Sequence, residues 1–264
     1  KFFKKRNVIV DHNERREYIL KNLIKLSKLK NHKIFIKDSL IDDVVNILDK
    51  PNILLCSFDQ KFLNMPKELI TTTIEYHQKF FLVYDNNSKL TNLFYVVSNS
   101  EDKSGLIKKG NENVVEARLS DAEYFWKKNK SKNMIKQVTK LQNINYYNRL
   151  GTYLDKIQRL KKLGGFLSDE LLISKEKVEL ASTLSKVDLL SELVNEFPEL
   201  QGILGGYFAE AQGFEKEVCE SIKEQYLPSG PDSKVPKNNY SITLSLSDKI
   251  DTLVGFFGLN IIPS

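Results

Sequence analysis

The sequence has few of the residues that mark several protein classes. It contains 2 Cys, 3 His, 7 Pro, 12 Gly and 1 Trp in 264 residues. So few Pro and Gly exclude a collagen-like or low-complexity chain, and two cysteines 163 positions apart favour buried thiols in a reducing compartment over a disulfide framework. The longest apolar runs, near Ile53–Cys56 and Val254–Phe257, are far shorter than a membrane span. These absences predict a folded cytoplasmic protein without a membrane segment.

Motifs for autonomous chemistry are also missing. The sequence has neither a GxGxxG nor a GxxxxGK[ST] loop for phosphate, and no GxSxG nucleophile. His12, His32 and His77 are scattered, which argues against zinc, and the lone His77 is expected to be structural. The chain begins with Lys1 rather than Met, which suggests a piece of a longer protein.

Charge is distributed unevenly along the chain. Residues 1–144 hold 27 basic and 17 acidic side chains, a net +10, whereas residues 145–264 hold 13 and 17, a net −4. Residues 124–154 contain no acidic residue but seven basic ones, interleaved with aromatic side chains. Basic groups neutralise phosphates and aromatic rings stack on bases, so this composition suits nucleic acid. Two alternatives stay open: lysine enrichment from an AT-rich genome, and a solvated helix edge with its aromatic side chains in the core.

Periodicity predicts the architecture α+β, with a mixed α/β region at residues 1–144 and an all-α domain at residues 145–264. In the first region it predicts helices at about 14–30 and 38–48, with Asp38-Ser39 as the second helix's N-cap, and a short helix after Pro66. Strands are predicted at 53–57, 80–84 and 93–98, the last two as a hairpin across residues 85–88.

Three apolar stripes predict a helical bundle in the second region. The first ends at Gly164-Gly165, taken as a helix stop, and the second runs from Leu180 to Val194. The third joins Ile242, Leu246, Ile250, Leu253 and Phe257, although residues 241–247 alone would also suit a strand. Residues 227–236 are predicted to be a linker.

Four aspartates lie on or beside these apolar helix faces, where an unpaired carboxylate would be costly. They are Asp155, Asp188, Asp248 and Asp251. One interpretation is a carboxylate cluster for a divalent metal. The favoured alternative is internal pairing with Lys156, Arg159, Lys186 or Lys249.

Ten segments, in order and spacing, resemble the β subunit of the bacterial tetrameric glycyl-tRNA synthetase, and the resemblance runs nearly end to end. They are residues 77–85 (HQKFFLVYD), 89–92 (KLTN), 110–115 (GNENVV), 117–122 (ARLSDA), 150–152 (LGT), 155–156 (DK), 184–189 (LSKVDL), 196–202 (EFPELQG), 225–228 (QYLP) and 247–257 (SDKIDTLVGFF).

The resemblance implies a non-catalytic, internal part of β that positions glycine tRNA for ATP-dependent glycylation. The class II active site, with its ATP and Mg, is then expected in the partner α subunit of an α2β2 tetramer, and no cofactor is expected in this part. The first region would be similar to B3/B4-type modules and the second to an HD domain; whether the helical domain is complete stays open. The alternative function is a purely structural scaffold that joins α to the anticodon-binding region.

The resemblance to HD domains also implies degenerate positions. Asp155, Asp188 and Asp251 would occupy places where an active HD phosphohydrolase has His and Asp ligands, and no histidine follows His77. We therefore expect these residues to be structural, held in ion pairs between helices, and no metal centre. The candidate contacts to the tRNA backbone are Lys127, Lys128, Lys130, Lys132, Arg149, Arg159, Lys161 and Lys162.

Overall fold

The computed structural model describes residues 6–261, and these form two compact units that divide between residues 124 and 125. The division falls at residue 124, inside a helix, whereas the sequence placed the boundary at residue 144. Helices predominate and the strands form small antiparallel sheets, so the predicted α+β class is confirmed. Among the described residues, no helix has the length and apolar character needed to cross a membrane.

The first unit is built on a four-stranded antiparallel sheet of order β1-β3-β4-β2. Its elements are α1 His12–Leu29, β1 Lys33–Ile34, α2 Asp38–Asn46, β2 Asn52–Ser57, α3 Lys67–Thr71, β3 Phe81–Tyr84, β4 Leu90–Ser98 and most of α4 Leu106–Lys130. The predicted hairpin is present, because β3 pairs antiparallel with β4. The α1 and α2 helices bury Ile19, Leu23 and Ile41 against Phe81 and Val83 of the sheet.

One local prediction in this unit needs correction. The N-cap of α2 is Lys37, not Asp38-Ser39, and Asp38 instead binds Arg16 of α1 through its carboxylate. The predicted helix after Pro66 is present as α3, and it continues as a π-helical turn at Thr72–His77. His77 ends that turn with its ring 5.5 Å from the ring of Tyr76.

The second unit is helical apart from a two-stranded ribbon. Its elements are α5 Met134–Gln137, β5 Asn145–Tyr147, β6 Gly151–Thr152, α6 Tyr153–Glu170, α7 Lys175–Leu184, α8 Glu192–Glu196, α9 Ile203–Ala211, α10 Lys216–Glu224 and α11 Asn239–Gly258. Residues 225–238 contain no helix or strand, as the linker prediction requires. Both cysteines are buried thiols.

Gly164-Gly165 does not stop a helix, because α6 continues to Glu170. A Cβ on Gly164 would lie 2.8 Å from Cγ1 of Val178, so this glycine allows α6 and α7 to approach closely. The second predicted stripe, by contrast, is interrupted. It is divided among α7, a 3-10 turn at Val187–Leu190, and α8.

The third stripe predicts α11 correctly, and the strand alternative is wrong. Most of its side chains nevertheless face outward: Leu246, Ile250, Leu253 and Phe257 are 37–56% exposed. The buried face of α11 is mainly small and polar, and it comprises Ser241, Thr243, Leu244, Ser245, Ser247 and Asp248. The residues that α11 buries are therefore decided by its neighbours rather than by its most hydrophobic face.

Candidate functional site

A buried polar cluster lies in the helical unit. It is formed by charged and polar side chains from α6, the 3-10 turn, the end of α10 and α11. Its members are Lys156, Arg159, Lys186, Asp188, Gln225, Tyr226, Asp248 and Asp251. Burial of this many polar groups is favourable only when each of them finds a partner.

Lys156 is 2% exposed and lies between two carboxylates of α11. Its ammonium nitrogen is 3.1 Å from Oδ2 of Asp251 and 3.3 Å from Oδ1 of Asp248, and it stands 4.2 Å from the ring centroid of Tyr146. Burial alone would lower the pKa of Lys156, but Asp248, Tyr146 and Asp251 outweigh it and raise that pKa. Lys156 therefore stays charged and joins α6 to α11.

Lys186 is buried completely and contacts the same carboxylate oxygen of Asp248 as Lys156 does. Its ammonium nitrogen lies 2.8 Å from Oδ1 of Asp248 and also donates hydrogen bonds to Oε1 of Gln225 and the hydroxyl of Tyr226, at 2.7 and 2.9 Å. Burial lowers the pKa of Lys186. Burial alone would raise the pKa of Asp248, but the positive charges of Lys186 and Lys156 outweigh it and lower that pKa. Asp248 is thus the anion shared by two ammonium groups.

Asp188 is held by the backbone instead of by a side chain. Its Oδ2 accepts a hydrogen bond from the N–H of Gly202 at 2.6 Å, and Gly202 has a φ of +82°, which favours glycine. Burial raises the pKa of Asp188 to about 6, although the Gly202 N–H and Lys186 act in the opposite direction. A Cβ on Gly205 would lie 3.0 Å from this carboxylate. The two glycines therefore make room for Asp188.

Asp155 lies outside the buried cluster. The sequence predicts that it pairs with a basic side chain between helices, but its partner is Thr152, at the start of its own helix. Its carboxylate accepts hydrogen bonds from the N–H and hydroxyl of Thr152, both at 2.8 Å, and completes a capping box at the start of α6. The backbone hydrogen bond from Thr152 is the main cause of the lowered pKa of Asp155.

The donor set of the cluster does not fit a divalent cation. Ammonium groups already lie against Asp248 and Asp251, and a cation there would face their like charge. No group of three or more His, Cys, Asp or Glu converges as metal ligands within residues 6–261. Three of the four basic partners expected from the sequence, Lys156, Arg159 and Lys186, form ion pairs with Asp248 or Asp251. Lys249 instead donates a hydrogen bond to the carbonyl oxygen of Leu227.

Two lysines near the end of α4 contact one acidic side chain. Lys128 and Lys132 lie 2.9 and 2.7 Å from the carboxylate of Glu192, the first residue of α8. These contacts, led by the Lys132 hydrogen bond, lower the pKa of Glu192 to about 2. Lys130 stands 5.4 Å from the ring centroid of Trp126, and Lys127 is exposed in the last helical turn.

The other four basic candidates lie around α6. Arg159 pairs with Asp251 at 2.5 Å, and Lys161 lies 3.4 Å from Glu179. Arg149 and Lys162 are exposed, and neither has an ion-pair partner in the described part of the chain. The eight candidates therefore form two groups, one at the end of α4 and one around α6.

Some aromatic side chains of residues 124–154 are buried and others are exposed. Trp126 is buried and stacks on Phe208, with ring centroids 5.7 Å apart. Tyr146 bonds Thr252 through its hydroxyl, whereas Tyr124 and Tyr147 are 62% and 42% exposed. Part of the aromatic set is thus core, as the alternative interpretation of this segment required.

Sequence reasoning missed Glu192, Gln225 and Tyr226 as partners of the lysines. Glu192 lies 60 positions from Lys132 and Gln225 lies 39 positions from Lys186. No local pattern joins residues so far apart, and only the Ser191 N-cap ahead of Glu192 marks a helix start there.

Comparison with known proteins agrees with this chain's motifs. A sequence model of the family described as glycyl-tRNA synthetase beta subunit matches residues 1–264. The chain is similar to the glycine–tRNA ligase beta subunit of Thermodesulfovibrio yellowstonii, with 40% identity over 259 residues, which are 97% of this chain and 38% of the relative. The beta subunit of Pseudomonas syringae pv. tomato is 38% identical over 259 residues, which are 98% of this chain and 38% of the relative. That of Phenylobacterium zucineum is 38% identical over 266 residues, 98% of this chain and 40% of the relative.

The chain spans about two fifths of the length of these curated relatives. The match covers both units of the structure, including the segments of the buried cluster. The chain therefore belongs to the glycyl-tRNA synthetase beta subunit family.

Proposed function

We propose that this chain is a non-catalytic part of glycine–tRNA ligase that positions glycine tRNA in the cytoplasm. Glycine activation with ATP and Mg takes place at a class II site in the partner α subunit of an α2β2 enzyme. Membership of the beta subunit family supports this division of labour. In the same proposal the first unit is a B3/B4-like module and the helical unit is HD-like, with Asp155, Asp188 and Asp251 as structural residues.

The contact to tRNA is made by the lysine group at the end of α4. Lys127, Lys128, Lys130 and Lys132 fall within six positions, and Glu192 is the carboxylate within 4 Å of two of them. This concentration of ammonium groups is the observation that carries the proposal. RNA duplexes are recognised mainly through shape and backbone, so such a group docks tRNA without reading bases.

The experiment is a salt titration of tRNA binding by the assembled ligase. A quadruple variant with Lys127, Lys128, Lys130 and Lys132 changed to Ala is compared with Lys234→Ala/Lys237→Ala, two exposed lysines in the linker. Each lost phosphate contact should reduce the slope of log affinity against log salt by roughly 0.7 to 0.9. An unchanged affinity and slope in the quadruple variant would refute the contact.

A structural scaffold is the second candidate function. It is favoured by the internal partners of Lys128, Lys132, Arg159 and Lys161, whose charges are already balanced by carboxylates. A ligase that assembles with its partner subunit and keeps its full tRNA affinity in the quadruple variant would support the scaffold instead.

A further inference from the structure

An apolar groove of about 720 Å³ runs between α6 and α11 in the helical unit. Its walls include Leu163 and Phe166 of α6 and Ile250 and Val254 of α11. Phe166 is 61% exposed and Val254 is 66% exposed. Large apolar side chains exposed along one groove are typical of a docking surface.

The exposed apolar face continues along α11 beyond the groove. Leu246, Ile250, Leu253 and Phe257 follow one another at helical spacing and are all at least 37% exposed. At 1.5 Å per residue, this face is about 16 Å long, or three helical turns. The surface is therefore long enough to receive a helix of similar length along α11.

The groove is lined by positive charge that no carboxylate of residues 6–261 pairs with. Arg149 and Lys162 are exposed at the rim and have no ion-pair partner within the described residues. The one carboxylate in the lining, Asp251, already accepts from Lys156 and Arg159. Charge complementarity consequently calls for an occupant with acidic groups beside its apolar ones.

The apolar part of the lining favours a polypeptide over RNA. It consists of Leu150, Leu163, Phe166, Ile250 and Val254. Unpaired bases stack on aromatic or guanidinium planes, but of the two guanidinium groups in the lining that of Arg159 is already held by Asp251. An amphipathic helix instead inserts apolar side chains spaced at three and four residues into such a groove. Gly255 lets the side chain of Leu150 pack directly against α11 in the groove wall, because a Cβ there would lie 3.0 Å from Cδ1 of Leu150.

We propose that the groove between α6 and α11 binds an amphipathic helix of the partner subunit, about three turns long, with apolar anchors and an acidic flank. The inference rests on the proposed function, in which this chain works beside a second polypeptide. It assigns Arg149 and Lys162 to protein contact rather than to tRNA. The lysine group at the end of α4 is left for the RNA.

The first experiment is photo-crosslinking in the assembled ligase. A benzophenone amino acid replaces Val254 in one sample and Val235 in another; Val235 is 62% exposed in the linker and does not line the groove. We expect a crosslink from position 254 to an acidic, helical peptide of the partner subunit and none from position 235. A crosslink to tRNA or to another part of the same chain, or no crosslink at all, overturns the inference.

Substitutions give an independent readout. Val254→Glu should weaken subunit association at least about 10-fold, as expected for an interface anchor, and Val235→Glu should change it less than about twofold. Lys162→Glu should also weaken association, with a loss that shrinks at high salt. Retained helical content shows that the variants fold. Unchanged association overturns the inference.

Binding of tRNA separates this inference from the proposed function. If Val254→Glu reduces tRNA affinity but not subunit association, the groove binds RNA and the present assignment fails while tRNA positioning stands. If the variants weaken subunit association and the α4 lysine variant leaves tRNA binding unchanged, the groove assignment stands and tRNA positioning through α4 fails.

Discussion

The ammonium nitrogen of Lys186 lies 2.8 Å from the carboxylate of Asp248, and the two side chains are 1% and 12% exposed. Two further acceptors, Oε1 of Gln225 and the hydroxyl of Tyr226, complete the surroundings of this lysine. A buried ion pair of this kind adds little net stability, but removal of Lys186 leaves Asp248 with Lys156 as its remaining cation and leaves two buried acceptors without their donor. The pair therefore makes the packing of α11 strongly dependent on residue 186.

Lys186→Met should destabilise the helical unit by about 1–3 kcal/mol, because the buried acceptors Gln225 and Tyr226 lose their donor and Asp248 keeps only Lys156, at 3.3 Å, as a cation. Urea unfolding followed by the fluorescence of Trp126, the one tryptophan of the sequence, measures this change. Lys161→Met is the matched control: its partner Glu179 is half-exposed, and the expected loss is about 0–1 kcal/mol. Equal losses in the two variants would contradict the prediction.

Asp188→Asn should change how stability depends on pH. Because the pKa of Asp188 is raised to about 6 from an ordinary 3.8, the folded chain binds this proton more tightly than the unfolded chain. This contribution to stability is present below pH 4 and is lost as the pH rises to about 6. The variant lacks that loss, so its unfolding free energy relative to the wild type should rise between pH 4 and 7. A difference independent of pH would show that Asp188 is ionised throughout.

Gly164→Ala should destabilise the protein by about 1–3 kcal/mol, because the new methyl group would lie 2.8 Å from Cγ1 of Val178. Gly110→Ala is the control inside α4, where nothing lies within 4 Å of the new Cβ. That change should stabilise the protein by about 0.5–1 kcal/mol, since alanine favours helix more than glycine. Thermal unfolding of both variants measures the contrast, and the same sign of effect at the two sites would refute the packing argument.

Glu192→Gln should strengthen tRNA binding and steepen its salt dependence. With a pKa of about 2, Glu192 is ionised at neutral pH and competes with phosphates for Lys128 and Lys132. Fluorescence anisotropy with labelled glycine tRNA at several salt concentrations measures the change. Glu210→Gln releases Lys223, which is not a candidate contact, and should leave binding unchanged. Weaker binding by Glu192→Gln would indicate that Glu192 orders the lysines for RNA.

Local patterns predicted most elements, because a helix or a strand depends on neighbours in sequence. The four-residue spacing around α1 and α6 and the turn at residues 85–88 each led to the element that the structure contains. The family resemblance also came from the sequence, since it depends on the order of short motifs. Helix ends were less certain: Gly164 looked like a stop signal but is a packing residue.

The tertiary structure decided which side of each element is buried and which charges meet. Both Leu246 and Asp248 lie on α11, yet the aspartate is buried and the leucine is 43% exposed. The physical reason is that Lys156 and Lys186, from distant segments, need a carboxylate inside the bundle. The sequence alone thus determined the elements and the family, whereas the ion pairs, the exposed groove and the charges available to a partner depend on contacts between residues far apart in the chain.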